Sequence, residues 1–208
     1  MRVLQKGPKP EVLRENEDGW TDEYMAAIAA GAEPPERWRH PEISVALRME
    51  TGAKCAYCEA FVDDVSFPHV EHIIPKKLRP DLVVRWANLT SACGRCNLAK
   101  RDFYHDTDGL LNPYVDRIDA HLNFLGTLIT SNLGDVRGAV TVRKLQLNRL
   151  DLVYSRLRRL EAVGAALDTW HEASEPLKSV IADGIRRDAE EGEFSRSVTA
   201  YLRSFGFV

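Results

Sequence analysis

The sequence predicts an α+β protein: a two-stranded hairpin and a helix stapled by a four-cysteine metal site, with an arm before it and a mainly helical region after it. The cysteines, strand-type residues and a helical period carry this reading. All four cysteines fall in two Cys-x-x-Cys pairs, Cys55/Cys58 and Cys93/Cys96, and such pairs can close one tetrahedral zinc shell. β-branched and aromatic residues with turn residues among them occupy 61–72, the mark of strands. From Asn148 onward apolar residues recur at helical spacing.

Residues 1–40 mix proline, glycine and charge around one helix over 21–30, with Thr21 as its N-cap and Gly31 as its stop. Two readings stand for this segment, an arm lying on the core or a partly ordered tail. Residues 41–116 form the core. They begin with a short buried helix over 41–51 stopped by Gly52. Residues 61–72 read as strand, turn at Asp63-Asp64, and strand. Period two puts Phe67, His69 and Glu71 on one face and Val70 and His72 on the other. Pro75 and Pro80 keep the following loop irregular. Trp86 to Ser91 lead into the second cysteine pair, and a helix from Gly94 towards Phe103 puts Asn97, Lys100 and Arg101 on one face.

Residues 117–208 are mainly helical. Stretches 118–128 and 140–147 read as two strands, or as a helix and a strand, joined by a turn over 134–138. The long helix after Asn148 has an apolar stripe of Val153, Leu157, Leu160, Val163 and Leu167, with Arg156, Arg158, Arg159 and Glu161 on the rest. Further helices are expected over 176–189 and 195–205.

With 208 residues, 44% of them hydrophobic, the chain can bury a sizeable core. The first residues lack the apolar region of a signal peptide, and no apolar run reaches the ~18 residues of a membrane span. A reducing cytoplasm is therefore the expected location. There the cysteines are better placed for zinc than for disulfides, although four buried, reduced thiols would also satisfy the composition. The net charge of −3 argues against a protein that grips nucleic acid through overall charge. Its basic residues are nonetheless clustered: Lys76, Lys77, Arg79, Arg85, Arg95, Lys100 and Arg101 face only Asp81 across 76–101.

Between the cysteine pairs lie Val70-Glu71-His72-Ile73-Ile74-Pro75-Lys76 and Asn88-Leu89, and Asn97 directly follows Cys96 with Lys100 beyond it. An imidazole is partly neutral at physiological pH and can serve as a base. The carboxylate and amide oxygens of Glu71 and Asn97 suit Mg²⁺ or Mn²⁺. Singly, each residue has a plainer role: a strand-end charge, a core histidine, turn or cap asparagines, a solvated lysine. As an ordered set they resemble the four-cysteine branch of the HNH endonucleases, whose core is a ββα-metal hairpin and helix.

That resemblance implies hydrolysis of DNA phosphodiester bonds with His72 as general base, Asn88 holding the loop that aims it, and a catalytic metal on Glu71 and Asn97. Cys55, Cys58, Cys93 and Cys96 would hold the structural zinc, and Lys76, Lys100 and Arg101 would meet phosphates. The family's usual first and last letters are histidines; here they are Glu71 and Asn97, which shifts the expected ion from Zn²⁺ or Ni²⁺ to Mg²⁺ or Mn²⁺. His69 shares a face with Glu71 and could add a ligand. His40, His105, His121 and His171 have no spacing that connects them to the set.

The similarity extends to Lys6-Gly7-Pro8-x-Pro10, Ala46-Leu47-Arg48, Leu111-Asn112-Pro113, Leu147-Asn148-Arg149 and Phe194-Ser195. Together these resemble the small HNH proteins of bacterial anti-phage systems, the nuclease subunits of Septu and of retron-associated Septu-like systems. An ATPase partner of the ABC or structural-maintenance type is then implied. The other readings are a zinc-stapled binding or adaptor module without hydrolysis, and a stand-alone restriction or mobile-element nuclease.

Overall fold

The computed structural model of the protein describes residues 1–65 and 68–207. Helix α1 (Glu11–Ala29) begins well before Thr21. Pro10, extended at its start, sets the boundary, and Glu11 places a negative charge in the first turn, where the helix dipole favours it. Thr21 is an interior residue whose hydroxyl donates back to the Glu17 carbonyl at 2.7 Å. Gly31, at φ +67°, ends the helix as expected, its N–H bonded to Ile28 and that of Ala32 to Ala27. Leu13, Glu17, Thr21 and Tyr24 make the buried face. Two of these are polar, so hydrophobic spacing alone underestimates the helix.

Helix α2 (Pro41–Thr51) matches the expected span: Pro41 opens it, His40 Nδ1 accepts the Glu42 N–H, and Gly52 closes it at φ +61°. The expected strand-turn-strand over 61–72 does not form. A single turn, α3 (Val62–Val65), precedes β1 (Pro68–His72), and Phe67 lies outside the described residues. Strand β1 pairs antiparallel with β2 (Leu89–Cys93), with Glu71 opposite Thr90 and His72 opposite Leu89. The hairpin loop is therefore 73–88. Every residue of β2 is buried, and an unpaired strand there would strand its backbone polar groups away from water. Helix α4 (Gly94–Lys100) follows directly and completes a ββα unit. It stops because Arg101 turns to φ +50°, so Arg101 leaves the face that a longer helix would have given it.

Strands β3 (Leu122–Leu125) and β4 (Leu128–Ser131) form a second hairpin that turns at Gly126. The expected second strand over 140–147 is instead part of α5 (Val136–Lys144). Gly138 lies inside that helix: Asp135 caps its N–H, and a Cβ there would meet the His121 carbonyl at 2.5 Å. Close packing onto the hairpin thus requires glycine.

Helices α6 (Leu150–Glu172), α7 (Glu175–Glu191) and α8 (Ser195–Ser204) close the chain. The buried stripe of α6 is Leu152, Arg156, Leu160, Val163 and Leu167, so Leu157 is exposed and Arg156 is not on the polar face as expected. Arg156 is fully buried; burial lowers its pKa to about 10, and its Nη2 donates to the Leu147 carbonyl at 2.6 Å.

One core cluster surrounds the cysteines and reaches Ile129, Leu145 and Leu152. A second joins Leu13, Tyr24 and Trp38 to Ile43, Leu47, Val83 and Leu89, and a third lies among α6, α7 and α8. Residues 1–40 thus pack on the hairpin and its loop. Leu13→Ala is expected to lower the unfolding free energy by about 2–5 kcal/mol through the cavity it leaves, measured by urea denaturation. A loss below about 0.5 kcal/mol, typical of a surface site, would mean that the arm is not part of the fold.

Candidate active site and metal centre

The first cysteine pair is shaped by a tight turn. Cys55 N–H bonds the Ala60 carbonyl, the Glu59 N–H returns to Cys55, and Glu59 takes φ +66°. The Glu59 carboxylate is buried and bound by the Met1 ammonium at 2.6 Å and the Ser195 hydroxyl at 2.8 Å. The second pair spans the β2–α4 junction. Ligand atoms of Cys55, Cys58, Cys93 and Cys96 all lie within 4.8 Å of one another, and Cys58 and Cys93 Sγ are 3.9 Å apart. A tetrahedron with ~2.3 Å Zn–S bonds has edges of ~3.8 Å. The four buried, unbridged thiols therefore fit a closed zinc shell.

Arg149, at the start of α6, aims its guanidinium at this cluster, with Nη1 3.5 Å from Cys96 Sγ and Nη2 3.9 Å from Cys58 and Cys93. Burial works against its charge, but the thiolates of Cys96 and Cys58 outweigh burial and raise its pKa. Such N–H···S contacts stabilise thiolate ligands. Arg149 was legible only as a step into a helix, because nothing in its spacing ties it to cysteines so distant in the chain.

His72 ends β1, and its Nε2 lies 2.8 Å from the Val83 carbonyl. A carbonyl only accepts, so Nε2 carries the proton and Nδ1 keeps a lone pair. Burial pushes the imidazole down to about 4 against the lift from Val83, and the Lys76 and Lys100 ammoniums push the same way as burial. The ring is neutral at physiological pH.

Glu71 is also buried. Lys100 Nζ meets its Oε1 at 2.6 Å and the His72 carbonyl at 2.7 Å, while the Tyr57 hydroxyl is 3.5 Å from the same carboxylate oxygen. Burial raises the Glu71 pKa and Lys100 opposes it, leaving a net rise. Lys100 is therefore an internal counter-ion, neither the phosphate contact nor the solvated helix lysine that the sequence offered. Both contacts fall on Oε1, and a carboxylate that lines the cleft offers the oxygen-ligand type that hard cations take. Asn97 stands on α4 with its Nδ2 3.4 Å from His69 Nδ1. Glu71, His72, Asn97, His69 and Lys76 line one cleft, so the oxygen donors fit a hydrated Mg²⁺ or Mn²⁺ better than an all-protein cage.

Asn88 straps the hairpin loop. Its Oδ1 accepts the Ile74 N–H at 2.8 Å, and its Nδ2 donates to the carbonyls of Ile74 (3.0 Å) and Leu82 (3.2 Å), next to the Val83 carbonyl that receives His72. The basic cluster is largely paired: Lys77 with Asp102, Arg79 with Asp81, Arg85 with Asp18, Arg95 with Asp151. Among the described residues Lys76 and Arg101 have no carboxylate partner, but only Lys76 lies in the cleft. Trp38, from the arm, packs against His72 and was not singled out by the sequence.

Residues 55–103 match the HNH endonuclease family. This segment is an HNH domain. The chain is also similar to a Septu protein PtuB from Bacillus thuringiensis, 38% identical over 122 residues that make up 58% of this chain and 47% of that protein. A Septu protein PtuB from Bacillus mycoides (strain KBAB4) is 26% identical over 156 residues, 60% of this chain and 53% of that protein. The chain spans about half the length of the curated relatives it matches. The HNH domain supplies both cysteine pairs, Glu71, His72, Asn88 and Asn97, whereas Trp38 and Arg149 come from outside it. Among the described residues no helix is long and apolar enough to cross a membrane.

Protein purified without chelator is expected to carry one zinc per chain by elemental analysis, and Cys93→Ser should lose it and melt at a lower temperature, because metal binding here is coupled to folding. Arg149→Met is expected to weaken zinc retention against a competing chelator by about 10- to 100-fold. Zinc-free protein that melts like the metal-loaded form would refute both.

Proposed function

We propose that the protein is a metal-dependent HNH endonuclease that hydrolyses DNA and acts as the nuclease of a bacterial anti-phage defence system. The observation that carries this reading is the buried, neutral His72, fixed through Nε2 and with no partner for Nδ1 among the described residues, in one cleft with Glu71 and Asn97. The similarity to two proteins named Septu protein PtuB supports the defence role.

In this reading His72 Nδ1 takes a proton from the attacking water as the new P–O bond forms and the scissile P–O bond breaks. Val83 and Asn88 keep the imidazole aimed, and Lys76 attracts the phosphate. A Mg²⁺ or Mn²⁺ ion on Glu71 and Asn97 would supply the charge that stabilises the pentavalent phosphate and its leaving oxygen. Lys100 holds Glu71 in place and keeps part of its charge compensated when no cation is present. Zinc on the four cysteines fixes the hairpin and helix on which these residues stand.

The net charge of −3 and the paired basic cluster favour an enzyme brought to DNA by a partner over one that binds tightly alone. An ATPase of the ABC or structural-maintenance type, working with this chain in the cytoplasm, fits that need. The adaptor reading is weaker because a bare zinc staple has no use for a preorganised imidazole.

The purified protein, alone or with its co-expressed partner, is expected to nick or cut DNA with Mg²⁺ or Mn²⁺ and to stop in EDTA. His72→Ala should lower the rate by about 100- to 10,000-fold, the usual contribution of a general base, with zinc content and circular dichroism retained. Cleavage at the wild-type rate by that variant would remove His72 from the mechanism. No cleavage by the wild type with any divalent metal would favour the adaptor.

A further inference from the structure

We propose that Trp38, contributed by the arm outside the HNH domain, is the positioning residue that fixes both the His72 ring and the Lys76 ammonium. The inference rests on the nuclease reading for its consequence on rate, but its geometry stands alone. His72 is held at one point by Val83, and a single hydrogen bond leaves the ring free to tilt about it. The Trp38 indole meets the imidazole edge-on, with centroids 5.3 Å apart and planes at 76°, a favoured arrangement for aromatic pairs. Lys76 Nζ sits 4.2 Å from the Trp38 centroid, within cation–π range. Because no carboxylate holds Lys76 among the described residues, its charge stays available to a phosphate.

Trp38 is itself anchored. It belongs to a 3-10 turn (Arg37–Arg39), and Tyr24 of α1 meets it edge-on at 5.8 Å. Arg37 grips Glu23 of α1 through two hydrogen bonds of 3.0 Å. The same helix steadies the other side of His72: buried Glu17 accepts the Trp86 N–H at 3.0 Å, at the end of the loop that bears Val83. Arm, indole and loop therefore enclose the imidazole from two directions. A tryptophan that only filled the core would have no need to carry a lysine on its face at the mouth of the cleft.

The test compares Trp38→Ala and Trp38→Phe with Leu13→Ala, which weakens the same arm without touching His72, at a temperature where zinc content and circular dichroism show all three folded. Long-range ¹H–¹⁵N spectra report the His72 tautomer, and steady-state cleavage of a DNA duplex reports kcat and KM. Trp38→Ala is expected to mix the His72 tautomers, lower kcat by about 10- to 100-fold as misplacement of a catalytic group does, and raise KM through Lys76. Trp38→Phe should restore the single tautomer and most of kcat, and Leu13→Ala should leave both unchanged. An unaltered His72 spectrum in Trp38→Ala, or a kcat loss no greater than that of Leu13→Ala, overturns the proposal. Absence of cleavage by the wild type would overturn the nuclease reading alone, since the spectra still decide whether Trp38 positions the ring.

Discussion

Convergence of four sulfurs on one point is the constraint from which the rest of the structure follows. Cys55 and Cys58 lie before β1, and Cys93 and Cys96 lie where β2 becomes α4, so closing the cluster fixes both the start of the hairpin and the start of the helix. Such short elements have little stability alone: two five-residue strands and a seven-residue helix are below what hairpins and helices hold by themselves in water. Arg149 then brings α6 against the same sulfurs, and Leu152 joins the cluster around the cysteines. The C-terminal helices are thereby tied to the cysteine cluster through charge as well as apolar contact.

The second organising element is burial of the cleft's polar groups. Glu71, His72 and Lys100 are all withdrawn from water, and each finds a hydrogen-bond or ion-pair partner. Lys100 uses Oε1 of Glu71 and the His72 carbonyl, which keeps a buried carboxylate from being left alone at high cost. Val83 takes the His72 proton donor and leaves the acceptor. The arm is integral to this enclosure, because Glu17 and Trp38 bear on the loop and the ring from outside the HNH segment.

Charge is distributed by the same logic. The lysines and arginines of 76–101 look in sequence like one basic patch, yet folding places an acidic partner beside most of them, often from a distant element: Asp18 of α1 for Arg85, Asp151 of α6 for Arg95. What remains at the cleft is chiefly Lys76. Local positive charge near the site is thus modest, and the surface salt bridges around it contribute little to stability individually.

The sequence by itself determined which residues stand as candidates for the chemistry. Cysteine spacing, Glu71-His72, Asn88 and Asn97 are local patterns that can be read without knowledge of long-range contacts, and the spans of α2, bounded by Pro41 and Gly52, and of α7 and α8 were legible in the same way. Tertiary structure decided what depends on distant partners. Strand β1 chose β2 across a long loop instead of its sequence neighbour because the buried strand's backbone had to be paired. Helix α1 extended back to Glu11 because its polar face, through Glu17, is satisfied by the Trp86 backbone. Arg156 turned inward towards the Leu147 carbonyl and the Asn148 side chain, and Lys100 towards Glu71, where periodicity alone would have left both in water. The placement of Trp38 on His72 and of Arg149 on the cysteines was decided in the same way, since contacts between residues far apart in the chain leave no mark in spacing and arise only when the packed elements bring them together.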